Sequence, residues 1–104
     1  MSVPERTKIQ IWEGPENPVP IPQEMELLDK DTSSLPSLFS RAVVEGAKGI
    51  DIYQATYDGR SGYTLFGWRD DKGKTKGQLL HDDKDHIIRV VEIFMEKLAE
   101  RYDH

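Results

Sequence analysis

Two turn sequences constrain this chain more than any other feature of it. Asp58-Gly59-Arg60-Ser61-Gly62 and Asp70-Asp71-Lys72-Gly73 cut the stretch 50–80 into three segments, each of strand length. Glycine, aspartate and serine supply the backbone angles and local hydrogen bonds that tight turns require. In the first segment Ile50 and Ile52 oppose Tyr53, Ala55 and Tyr57. In the second, running from Tyr63 to Arg69, Tyr63 and Leu65 oppose Phe66 and Trp68. A period of two marks both as strands. The third, from Lys74 to Leu80, is weaker because Gly77 interrupts it. The expectation is a three-stranded antiparallel meander over 50–80. Both of its faces carry aromatics, so one must meet helices, while the other is either covered or left partly open.

Helix signals flank the meander. Thr32-Ser33-Ser34 before Leu35-Pro36 is a start, since serine can cap free amides and proline is tolerated in the first turn. Leu35, Leu38, Phe39, Ala42 and Val43 form one apolar stripe, and Gly46 and Gly49 offer a stop, giving a helix at about 35–46. A final helix over 84–102 is capped by Asp82 or Asp83, with Asp85 near its positive end. Its stripe runs through Ile87, Ile88, Val91, Phe94, Met95, Leu98 and Tyr102, broadened by Val90 and Ile93. Burying that stripe contributes on the order of 10–20 kcal/mol before entropy is subtracted, so Leu98→Asp is expected to unfold the domain.

Upstream, Ile9 and Ile11 alternate with Lys8, Gln10 and Trp12, an N-terminal strand over 8–13. Pro15, Pro18, Pro20 and Pro22 then forbid a central strand and favour an extended arm over 14–24. That arm either braces the sheet or fits a partner's groove. Met25 to Leu28 reads equally as a short edge strand or a helical turn. The whole is expected to be an α+β fold, a single domain over 1–104. A small antiparallel sheet, made of the 50–80 meander and the 8–13 strand, packs against the two helices.

Bulk properties narrow the function classes. At 104 residues the chain buries roughly two-thirds of its unfolded surface, which leaves little volume for a deep pocket. A net charge of −5 repels phosphate backbones and anionic membranes at long range. Without cysteine there are no disulfides, thiolate ligands or thiol nucleophiles. No stretch approaches the ~20 apolar residues that span a bilayer. The expectation is a cytoplasmic protein, or a cargo carried elsewhere by another component, with no membrane partner.

The motifs that could carry chemistry each meet a plainer reading. His81-Asp82-Asp83-Lys84-Asp85-His86 holds imidazoles and carboxylates, a ligand set for zinc or manganese. The two histidines straddle a strand–helix junction at no usual ligand spacing, so a helix cap is the stronger account. The hairpin 66–76 interleaves Arg69, Lys72, Lys74 and Lys76 with Phe66 and Trp68, a pattern that grips nucleic acid. The order helix–strand–strand–strand–helix is similar to that of double-stranded-RNA-binding domains, in element order alone. Where those domains carry lysines, this chain has Asp82, Asp83 and Asp85. Lysines that keep a sheet edge soluble explain the hairpin equally well. G-x-S-x-G, phosphate-cradling and H-E-x-x-H motifs are all missing, so no catalytic residue, metal site or cofactor is expected.

What remains is recognition. The expected role is a small acidic protein-interaction module, an inhibitor, immunity-type or adaptor protein, whose partner is another protein or a second copy of the chain. Trp12, Tyr57, Arg60, Tyr63, Trp68, Arg69, Lys72 and Lys74 are the expected contact residues. Nucleic-acid binding through 66–76 is the alternative, and a metal-dependent enzyme at His81 and His86 the second.

Overall fold

The computed structural model describes residues 9–28 and 34–102. Lys8 of the expected first strand, and Thr32 and Ser33 of the expected cap, lie outside the described residues. The order is β1 (Gln10–Trp12), β2 (Val19–Pro20), β3 (Glu26–Leu27), α1 (Leu35–Val44), β4 (Gly49–Tyr57), β5 (Arg60–Arg69), β6 (Thr75–Leu80) and α2 (Lys84–Tyr102). The strands form one mixed sheet in the order β1-β4-β5-β6-β3, with β2 beside β1 along the same margin of β4.

The antiparallel meander β4-β5-β6 is present, with Ile50 opposite Trp68, Ile52 opposite Phe66, and Phe66 opposite Gln78. Its first turn is tighter than its composition implies. Tyr57 pairs with Arg60. Asp58 and Gly59 alone make the bend, both with positive φ (53° and 74°), the signature of a type I′ hairpin turn. Arg60, Ser61 and Gly62 therefore belong to β5, not to the turn. In the second turn the Asp70 carboxylate accepts hydrogen bonds from the backbone N–H groups of Lys72 (3.0 Å) and Lys74 (2.8 Å).

The sheet's margins depart from the purely antiparallel expectation. β1 and β2 pair with β4, and β3 pairs with β6, all in parallel. A two-residue turn delivers an antiparallel neighbour, whereas a link that carries the chain back along the sheet delivers a parallel one. The segment containing α1 is such a link. The four-residue ambiguity at Met25–Leu28 resolves as the edge strand β3.

β2 and β3 sit on opposite margins, so residues 21–25 must cross the face between them. Four inter-strand steps of ~4.8 Å span ~19 Å in a flat sheet, while six peptide units reach at most ~20 Å. The Met25 N–H donates to the Pro22 carbonyl (3.2 Å), a turn that shortens the reach further, so the sheet must curl towards the arm. Val19, Ile21, Met25 and Leu27 pack there on Tyr53, Ala55, Leu65 and Leu79. The proline arm thus covers the face turned away from the helices.

Gly77 now has a physical reason. It pairs with Gly67 across β5 and β6, and both face the arm. A Cβ at Gly77 would lie 2.8 Å from Met25 Sδ, and one at Gly67 would lie 3.1 Å from Met25 Cε. The two glycines form a notch that seats Met25.

The opposite face carries the larger core. Ile50, Ile52, Phe66 and Trp68 of the sheet meet Leu38, Phe39 and Ala42 of α1 and Ile87 and Val91 of α2, with Ile9 and Ala47 at the rim. Ser34 precedes α1 in extended geometry, and its hydroxyl donates to Ser37 rather than to the backbone. Asp83 caps α2: its carboxylate accepts from the Asp85 N–H (3.2 Å) and its carbonyl from the Ile87 N–H (3.0 Å). Thr64 ties this end down by donating to the Asp82 carbonyl at 2.9 Å. Along α2 burial fades: Ile87 and Val91 are fully enclosed, Phe94, Met95 and Leu98 only half-buried, and Ile93 exposed.

Candidate interaction surface

The eight expected contact residues do not form one patch. Tyr57, Arg60 and Tyr63 lie at one end of the sheet, and Trp12, Arg69, Lys72 and Lys74 at the other. β5, whose 10 residues run from Arg60 in one group to Arg69 in the other, spans about 30 Å.

Trp68 is removed from the set altogether. It is 1% exposed, and its indole N–H donates to Glu45 Oε1 at 3.0 Å. The alternation placed it on the right side of the strand, but that side faces the helices. Glu45, just past α1, also accepts from Lys76 Nζ (2.9 Å, on Oε1) and Arg41 Nε (2.9 Å, on Oε2). Lys76 reaches Asp70 as well, at 3.5 Å. Desolvation pushes the Glu45 carboxyl up, but the hydrogen bonds from Lys76, Arg41 and Trp68 outweigh it and hold it at about 2.

A carboxylate held below its unfolded value of 4.5 stabilises the fold above that pH and loses this contribution as pH falls from 4.5 towards 2. With the side chain still 22% exposed, solvent screening leaves a contribution of about 1–2 kcal/mol. Glu45→Gln is therefore expected to lower thermal stability at pH 7 but to differ little from the parent at pH 2. Melting curves at the two pH values check this, and an equal deficit at both would show that the ionised carboxylate is not the cause.

The basic–aromatic interleaving of 66–76 does not survive folding. Phe66 and Trp68 lie in the core, while the basic side chains lie around the turn. Lys76 is engaged by Glu45 and Asp70, and Lys74 by Glu26 at 2.7 Å. A nucleic-acid platform needs exposed rings beside its cations; here they are on different surfaces. His81 stacks on Tyr63 (5.2 Å between ring centres). Among the described residues no group of three histidine or acidic side chains is arranged to hold a metal ion.

Two aromatic clusters remain accessible on the arm-bearing face. At the hairpin end Tyr57, 47% exposed, meets Tyr63 edge-on at 6.4 Å, and Tyr63 continues the row to His81. At the other end Trp12 is 57% exposed and meets Tyr53 edge-on at 5.7 Å. Directly across the parallel pairing from Trp12 stands Asp51, half-buried, and across β5 from Asp51 stands Gly67, without a side chain. Burial pushes the Asp51 carboxyl up, and Arg69 offsets part of this. Tyr53 is pushed up by burial and by the charges of Asp51 and Glu24. Asp51 was hidden within an alternating apolar run; its one sequence signal is a charge set between Ile50 and Ile52.

Shallow grooves complete the surface, among them one of 370 Å³ between Tyr63 and the start of α2. Another, of 350 Å³, runs between the helices along Pro36, Phe39, Val43, Val44, Phe94 and Leu98. A further one, of 420 Å³, lies between the arm at Pro20–Met25 and the hairpin at Thr56–Gly59. No helix among the described residues is long and apolar enough to cross a membrane. No family model matches the chain, and no curated protein or solved structure matches it either.

Proposed function

We propose that the chain is a small acidic protein-interaction module of the cytoplasm, of inhibitor, immunity or adaptor type, acting by occupying the surface of a partner protein. The observation that supports this reading is the exposed Trp12 beside half-buried Asp51, on a sheet face that the arm covers in part. The arm packs on the apolar centre of the face and leaves this indole 57% exposed. Tryptophan so placed is a characteristic anchor of protein interfaces. The net charge of −5 favours a basic partner, because opposite fields speed encounter. The reading involves no cofactor and no reaction.

Affinity capture at near-native abundance tests it, comparing the parent chain with Trp12→Ala. The expected result is one protein recovered in stoichiometric amount with the parent and lost with the variant. Recovery of none, or recovery indifferent to Trp12, overturns the reading. So does a preparation that sediments as a stable dimer through the helix groove, where Val44 is 85% exposed, since the partner is then a second copy.

A further inference from the structure

We infer that exposed Trp12 and half-buried Asp51, beside buried Tyr53, form a recess for one cationic side chain, an arginine or lysine, presented by a basic protein. This deepens the reading above and rests on it for the partner's being a protein. Two observations converge. First, the Asp51 carboxylate has neither a hydrogen bond nor an ion pair within 4 Å among the described residues, although it is half-buried. Arg69, the cation whose charge acts on it among the described residues, stays exposed at the sheet's end. A carboxylate partly withdrawn from water without a donor is costly unless something external completes it. Second, the register sets Asp51 directly against Trp12 and next to Tyr53 on one face, so a cation at the carboxylate also lies over exposed indole. Attraction between a cation and an aromatic face strengthens in such a desolvated place.

The other candidates carry less. The helix groove shows nothing that names its occupant, and the start of α2 is acidic where an anion would need to bind.

The test uses the full chain with a hexa-arginine peptide as probe, read by the two indole N–H resonances in proton–nitrogen spectra. Binding is expected to move the Trp12 signal and leave that of buried Trp68 in place. Asp51→Asn is expected to weaken binding by about tenfold. Asp82→Asn, the same loss of charge at the start of α2, is expected to change it less than about twofold. Arg69→Gln is expected to tighten binding by removing a competing cation. Asp51→Asn should also melt no lower than the parent, since it relieves a poorly solvated charge; Trp12→Ala, at an exposed position, gives an independent loss of binding. Equal losses at Asp51 and Asp82 would reduce the effect to bulk charge and overturn the recess, as would a stationary Trp12 signal. A captured partner that ignores Asp51→Asn overturns the recess alone. Peptide binding at the recess with no captured partner overturns the functional reading alone.

Discussion

Val91→Asp is expected to unfold the protein at room temperature, whereas Leu98→Asp, two turns further along the same stripe, is expected to leave it folded. Val91 and Ile87 have no exposed surface and sit where α2 crosses the sheet. Replacing valine there forfeits about 1.5–3 kcal/mol of apolar burial and adds the cost of a buried, unpaired carboxyl, several kcal/mol more. A domain of this size has about 5–15 kcal/mol in total, so little or nothing remains. Leu98 is half-buried, flanked by α1 and solvent, and an aspartate there can turn outwards at a cost of about 1–2 kcal/mol. Circular dichroism and urea melts of the two variants decide the matter. Loss of the fold in both would mean that the last turns of α2 are as integral as the first. The amphipathic stripe alone had pointed to Leu98 as critical, because periodicity reports which side of a helix is apolar and not how much of its length has something to lie on.

The second large effect is a coupling between Met25 and Gly77. Gly77→Ala sets a methyl group 2.8 Å from Met25 Sδ, 3.1 Å from Leu65 Cδ1 and 3.1 Å from the Phe66 carbonyl, an overpacking expected to cost about 2–3 kcal/mol. Met25→Ala empties the notch and is expected to cost about 2–4 kcal/mol. Met25→Ala removes the closest of these contacts and the added methyl fills part of the space it leaves, so the double variant should be less destabilised than the sum by about 1 kcal/mol. A double-mutant cycle in urea measures this. Additive losses would mean that Gly77 is needed for β6 itself and not for the arm lying over it.

The meander, both helices and the alternation of Ile9, Ile11 and Trp12 were legible because they depend on local periodicity and turn chemistry. Asp58-Gly59 made the hairpin readable, although its neighbours blurred the boundary, since Arg60, Ser61 and Gly62 share the composition of a turn while pairing as a strand. The parallel margins were not legible. Residues such as Val19 and Leu27 find partners at Ala55 and Gly77, and no local rule reports a pairing over that separation. The same holds for the surface. Alternation showed that Trp12 and Trp68 sit on specific sides of their strands, but which side meets helices is settled by α1 and α2. Trp68 therefore fell inside and Trp12 outside. Asp51 gained meaning only once Trp12 and Gly67 stood on either side of it.

The way the arm is fastened bears on how the protein is made. Strands β2 and β3 leave the ribosome well before their neighbours at Ala55–Thr56 and Lys76–Gly77. Until then the nascent N-terminal segment offers unsatisfied strand-forming backbone to whatever is nearby, and closure over such separations is intrinsically slow. Pro15, Pro18, Pro20 and Pro22 lack the amide hydrogen that a stray ladder would recruit. The prolines that brace the finished sheet thereby also shield the unfinished one from aggregation.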